Sequence, residues 1–407
     1  MYRVLRRLPG ILLVLAVLVL PAGCGIELQY ADEPPGASYT GGTPSASPSA
    51  EPSEEPSPPT DPSPDPPVKL VAYDGIVEHL FFHPVIAYPE LAFDGDFKEK
   101  GLDSYMVTVS EYNKMLESLY EKGYILVNMN DVWEEYQDEN GVFRMKRNTL
   151  MIPEGKKPLI LSFDDTNYYN YMLSNGFTYK LVLRDGEIWS YGLDPQGKPV
   201  YSQDLDAITI LDKFVERHPD FSLNGVKGCL SLTGYEGILG YRTMTDTKGI
   251  SAEAEMIRQM EIAAVKPIVA KLKETGWYFG CHSWGHISLS TSKLDTVKAD
   301  TQRWLDEVGA IIGPTKLYFY PFGARPDGDD VRQTGEMFKY LHSEGFRVFA
   351  SVGIESFSKI KTDISAVICD RMHADGDTLR GQRERYLKFY DAKLVFDEAR
   401  PDYGTKW

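Results

Sequence analysis

The sequence predicts a parallel α/β architecture, either an open sheet or a barrel. Three observations predict it. Short apolar runs alternate with longer amphipathic stretches along most of the chain. The best of these runs, residues 158–163 (P-L-I-L-S-F), is continuously apolar, as a parallel strand covered on both faces must be. Hydrophobic residues make up 43% of the 407, enough to bury a sizeable core.

The elements follow in order. Residues 78–86 hold a buried strand that ends at Pro84. Residues 110–122 form an amphipathic helix, with Ser110 as N-cap and Gly123 as its stop. Strands follow at 124–127 and 158–163. A helix at 204–217 leads to a strand at 225–232, and a long helix at 251–275 to a strand at 277–281. The next pairs are helix 291–312 with strand 316–320, and helix 330–344 with strand 347–352. A last strand near 366–371 precedes a charged helix from about Thr378. One segment interrupts the alternation. Residues 177–201 read as a β-hairpin turning at Asp185-Gly186, just after the strand that ends in Asp164-Asp165.

The N-terminus has a different character. Arg3, Arg6 and Arg7 precede an apolar run at 11–20, then Pro21-Ala22-Gly23-Cys24. A basic start, a short apolar middle and small residues make residues 1–23 a secretory signal. Cys24 after Ala-Gly resembles a bacterial lipobox, which implies lipidation of Cys24 and a membrane anchor. Residues 31–67 carry 12 of the chain's 26 Pro, seven acids and no Lys or Arg. With Cys24 they form a stiff, solvated linker over 24–67, able to reach roughly 100 Å at about 3.1 Å per residue. The expected location is the extracytoplasmic face of the bacterial membrane, reaching into the cell wall. The folded domain then spans 68–407. A net charge of −16 argues against nucleic acid and against broad electrostatic binding to anionic lipid. No protein partner is implied.

Three strand ends hold polar residues that a core would not select. Asp164-Asp165 puts two carboxylates side by side, which raises one pKa unless a cation lies close. Two of the chain's seven His meet at His282-Ser283-Trp284-Gly285-His286, a metal-ligand spacing. Tyr318 to Gly323 runs from a strand into a Pro-aromatic-Gly turn, which can aim a backbone N–H at a developing oxyanion.

Together these motifs resemble the polysaccharide deacetylases, the NodB-homology group (carbohydrate esterase family four). The family's T-F-D-D-G is similar to Ser162-Phe163-Asp164-Asp165-Thr166, and its H-[ST]-x-x-H matches His282 to His286 in full. Its R-x-P-Y-G is partly present as Phe319-Tyr320-Pro321-Phe322-Gly323. The resemblance covers roughly residues 69–391. It implies a distorted (β/α)7 barrel with the hairpin as an insertion at about 167–201. It also implies a divalent metal, zinc above others, held by Asp165, His282 and His286. Asp164 would be the general base, and the Phe322 N–H an oxyanion donor. The implied reaction removes N-acetyl groups from a cell-wall or secreted GlcNAc-containing polysaccharide. Alternatives are an O-acetyl esterase acting on a glycan such as xylan, and a non-catalytic carbohydrate-binding surface lipoprotein.

The chain departs from the family in two places. Phe319 stands where the third motif has Arg, and Arg371 is the candidate to orient the base instead. No late Leu-x-His supplies the general acid. His83, ending the first strand, is favoured over His373, while His79 lies deeper on the same strand and reads as structural. Tyr168, Tyr169 and Pro321 are the expected substrate contacts. The insertion either walls the cleft or packs on the barrel side with its tyrosines as a small core. Cys229, Cys281 and Cys369 lie in apolar strands and are expected to be unpaired hydrophobes.

Overall fold

Seven parallel strands close on themselves in chain order. They are β1 (Glu78–Phe82), β2 (Lys157–Asp164), β3 (Cys229–Leu232), β4 (Tyr278–Cys281), β5 (Leu317–Phe319), β6 (Val348–Val352) and β7 (Ala366–His373). Closure comes from β7 pairing with β1 through Met372↔Leu80 and His373↔Phe81. The structure is a computed structural model and describes residues 68–245, 251–326, 335–362 and 364–403. The expected signal, Cys24 and the linker lie outside the described residues. No described helix is long and apolar enough to cross a membrane.

This is the (β/α)7 barrel that the resemblance implies. In β2 every residue after Lys157 is buried, because one face meets the barrel interior and the other meets the helices. A short strand, Tyr124–Leu126, pairs parallel with the start of β2. The outer layer includes α1 (Val109–Glu121), α2 (Ala207–Arg217), α3 (Ala252–Glu274), α4 (Leu294–Trp304) and α5 (Glu336–Ser343). The cap of α1 is Thr108 rather than Ser110. Thr108 accepts from the Glu111 N–H while the Glu111 carboxylate accepts from the Thr108 N–H, so one box satisfies two orphan donors. The helix expected at 291–312 is broken by a π-turn at Leu305–Gly309. The charged C-terminal helix is instead three short helices, Gly376–Gly381, Arg383–Tyr386 and Ala392–Val395.

The insertion is a three-stranded antiparallel sheet, Thr178–Arg184, Glu187–Leu193 and Pro199–Ser202. Its tight turn falls at Asp185-Gly186, both at positive φ (51° and 80°), as a primed hairpin turn requires. Leu181 and Ile188 on its inner face join the barrel's hydrophobic cluster. The sheet therefore packs on the barrel's side. Three further β pairings arise that the sequence reading did not anticipate: Leu70–Tyr73 with Leu150–Pro153, Trp133–Gln137 with Phe143–Arg147, and Phe357–Lys361 with β7. Cys229, Cys281 and Cys369 are buried and free.

A buried ion-pair cluster ties the C-terminal segment to the barrel mouth. Arg400 pairs with Asp103 at 2.8 Å and Glu111 at 2.6 Å, and donates to the Met106 carbonyl at 2.6 Å. Each charge in this group is compensated, as burial demands. The result fixes the backbone around Tyr105 and Met106, both of which face the cleft described next.

Candidate active site

Asp164 is the last residue of β2, and its carboxylate points into the barrel mouth. Arg371, from β7, grips it with two parallel bonds, Nη1 to Oδ1 at 2.7 Å and Nη2 to Oδ2 at 2.8 Å. Ser231 of β3 donates to Oδ1 at 2.8 Å. Burial pushes this carboxyl up, but the Arg371 charge and hydrogen bonds outweigh it and hold the group well below the usual carboxylate range. Below this pair, Arg371 also donates to Ser162, which bonds His79. Burial keeps His79 neutral, so its role is to fill and satisfy the barrel interior. The guanidinium lies 4.1 Å from the Phe81 ring centroid and 4.7 Å from that of Phe319. Phe319 thus occupies the family's Arg position and stacks on an Arg delivered from another strand.

Asp165 follows at positive φ (58°), which turns its side chain away from that of Asp164. Its Oδ1 accepts from the Tyr169 hydroxyl at 2.6 Å, and its Oδ2 lies 3.7 Å from His286 Nε2. His282, just beyond β4, donates from Nδ1 to the Phe319 carbonyl at 2.9 Å, leaving Nε2 free as a ligand atom. Burial lowers the His282 pKa, so the imidazole stays neutral as a ligand must be. The loop between the two histidines passes through positive φ at Ser283 (57°) and His286 (51°). Asp300 of α4 fixes that curve by accepting from the Trp284 and Gly285 N–H groups, both at 2.7 Å.

Asp165, His282 and His286 thus offer three ligand atoms within 4.8 Å of one another. Two ligands about 2.1 Å from one tetrahedral ion stand roughly 3.4 Å apart, close to the 3.7 Å between Asp165 and His286. Two imidazoles and one carboxylate are also the donor set of a hydrolytic zinc site. The residues fit the metal.

These groups line one cavity of about 410 Å³. His83 faces it, with Nδ1 on the Tyr105 carbonyl at 3.0 Å. His373 faces it too, its Nδ1 2.5 Å from Asp375 Oδ2. The two histidines flank Phe81, with ring centroids 5.8 and 6.1 Å from it. Burial lowers the His373 pKa, but the Asp375 hydrogen bond and charge raise it by more. Phe322, 70% exposed, and Tyr105, 58% exposed, form the aromatic mouth.

Three expected substrate contacts need correction. Tyr168 is buried at 1% exposure and donates to Asp206, so no face of it meets the cleft. Tyr169 is buried beside Asp165, where it serves the carboxylate rather than a sugar. Pro321 is buried within the turn. No residue of the 177–201 hairpin lines the cavity either. Ser231 and Asp300 were missed. A serine inside an otherwise apolar strand was the available signal for Ser231; for Asp300 there was none, since helix acids are commonplace.

Residues 244–340 match the family model for polysaccharide deacetylase. Among solved structures, the chain is similar to the Streptococcus pyogenes deacetylase PplD in complex with acetate, at 12% identity and a TM-score of 0.40, over 76% of this chain and 95% of that one. It is also similar to a polysaccharide deacetylase from Bacillus cereus, at 11% identity and a TM-score of 0.38, over 74% of this chain and 65% of that one. No curated protein sequence matches it. The matched segment contains both histidines of the ligand loop and the Pro321–Gly323 turn, and over that segment the chain is similar to the polysaccharide deacetylases.

Proposed function

We propose that this chain is a metal-dependent hydrolase that removes N-acetyl groups from a GlcNAc-containing polysaccharide of the cell wall or its surroundings. The observation that carries the reading is the convergence of Asp165, His282 and His286 beside a carboxylate, Asp164, that is not needed as a ligand. Asp165, His282 and His286 would hold zinc or a similar divalent ion, which would polarise the amide carbonyl and make a nearby water more acidic. Asp164 takes the proton of the attacking water, and the Arg371 clamp keeps the receiving oxygens ionised and in place. The Phe322 N–H donates to the oxyanion as the C–O bond forms. His83 then delivers a proton to the nitrogen as the C–N bond breaks, releasing acetate and a free amine. The aromatic mouth of Tyr105 and Phe322 offers apolar faces to the sugar ring. The basic start, apolar run and Cys24 support a lipid-anchored position outside the membrane, with the linker reaching the wall.

One observation favours a second choice of acid. The Asp375 partner keeps His373 protonated to higher pH, a property suited to proton donation. His83→Ala and His373→Ala separate the two. The acid's loss should lower kcat on the order of 10²–10⁴-fold and remove the alkaline limb of the pH profile. The other substitution should change rate much less. If only His373→Ala does this, His373 is the donor.

The overall reading is tested by metal analysis with acetate-release assays on chitooligomers, peptidoglycan and acetylxylan. Chelation should abolish acetate release, and added zinc should restore it. Release from acetylxylan alone would make the protein an O-acetyl esterase. A fully metallated protein that releases acetate from none of them would be a binding protein.

A further inference from the structure

We infer that Tyr169 is a positioning residue that sets the metal affinity of the site by fixing which oxygen of Asp165 is free to bind. The inference rests on the metal reading above. Asp165 leaves β2 in a left-handed conformation at the start of a loop, so its carboxylate has no rigid element holding it. A freely rotating carboxylate would present either oxygen, or both, and would lose that freedom on binding. Tyr169 removes the choice. Its hydroxyl donates to Oδ1 at 2.6 Å and accepts from the Thr233 hydroxyl at 2.8 Å. Each hydroxyl has one proton, so a directional chain runs from Thr233 through Tyr169 to Asp165. Oδ1 is then occupied, and Oδ2 faces His286 Nε2 at 3.7 Å.

The ring that carries this hydroxyl is itself immobilised. It is 4% exposed and stacks on Tyr235 with centroids 4.6 Å apart and planes 14° apart. The loop that places it is tied to the loop after β3. Asn167 Nδ2 donates to the Thr233 carbonyl at 2.8 Å, and Arg242 donates to the Tyr168 carbonyl at 2.9 Å. Tyr168 sits at positive φ (56°), and this kink carries the next side chain back toward Asp165. A buried tyrosine could serve packing alone, but packing does not require a hydroxyl bonded to a ligand oxygen. An outer partner of this kind typically tunes metal affinity by about 10–100-fold.

The test compares wild type, Tyr169→Phe and Thr233→Val by zinc dissociation constant, measured by competition with a chromophoric chelator. Apo-protein thermal unfolding and the cobalt-substituted absorption spectrum are recorded alongside. Tyr169→Phe should weaken zinc binding by about 10–100-fold and alter the cobalt spectrum, with kcat largely recovered at saturating zinc and KM little changed. Thr233→Val, which keeps the ring and removes the donor into it, should weaken binding less but in the same direction. Unchanged zinc affinity in a folded Tyr169→Phe overturns the inference. Should Tyr169→Phe not fold, unchanged affinity in Thr233→Val overturns it instead. Failure of the wild type to bind zinc would sink the metal reading itself, a distinct result.

Discussion

Asp164→Asn should retain its metal and lose turnover on the order of 10²–10⁴-fold, the span expected for a general base. The side chain is isosteric, and the three ligand atoms belong to Asp165, His282 and His286. What changes is proton capacity. An amide oxygen cannot take the water's proton, and the new NH2 meets the Arg371 guanidinium donor to donor where Asp164 had accepted at 2.7 and 2.8 Å. Asp165→Asn is the control and should lose metal. Metal content by elemental analysis and single-turnover acetate release, measured on both variants, separate the two roles. Equal metal loss in both would show that the roles had been divided wrongly.

The division itself is what the family resemblance implies; the strand pattern made legible only the position of the pair, because a polar residue at the end of an apolar strand has no packing reason to be there. The same reasoning located His282 and His286. Arg371 was singled out on different grounds, because Phe319 replaces the family's Arg and another cation had to orient the base, and the structure leaves it 0% exposed. Position along a strand has a period of two, so its consequences can be read directly. Loops lack such a rule. Tyr168 and Tyr169 look like cleft aromatics because they follow the catalytic strand, but one left-handed residue decides which way each ring falls. The insertion was left open for the same reason, between walling the cleft and packing on the barrel side, and the structure shows the second. Its hairpin and turn were readable from Asp185-Gly186, whereas the face it would cover depended on Leu181 and Ile188 finding the barrel core. The C-terminal helix failed because the buried Arg400 cluster, not helix periodicity, organises that segment.

Arg371→Leu should be the most damaging single substitution in the barrel. Arg371 is fully buried, and it supplies both strong bonds to Asp164. Removing one partner of a buried pair leaves an uncompensated charge, at a cost of about 3–5 kcal/mol. The pH dependence identifies the cause. In the wild type the Asp164 pKa is depressed, so its contribution to stability is fully present above the unfolded carboxyl value of about 3.9 and is lost as pH falls below that value. Without Arg371 the largest remaining influence is burial, which raises the pKa. The sign then reverses: the buried carboxylate destabilises at neutral pH, and acidification toward its raised pKa recovers stability. Denaturant unfolding of the apo proteins at pH 7 and pH 5 should therefore show the gap between variant and wild type narrowing at the lower pH. Arg371→Lys keeps the charge but not the two-pronged geometry, and should lose less stability than Arg371→Leu while still slowing turnover. Asp164→Asn combined with Arg371→Leu removes both charges and should recover much of the lost stability with no recovery of rate. If Arg371→Leu alone is as stable as the wild type at both pH values, the clamp is not what holds Asp164 ionised.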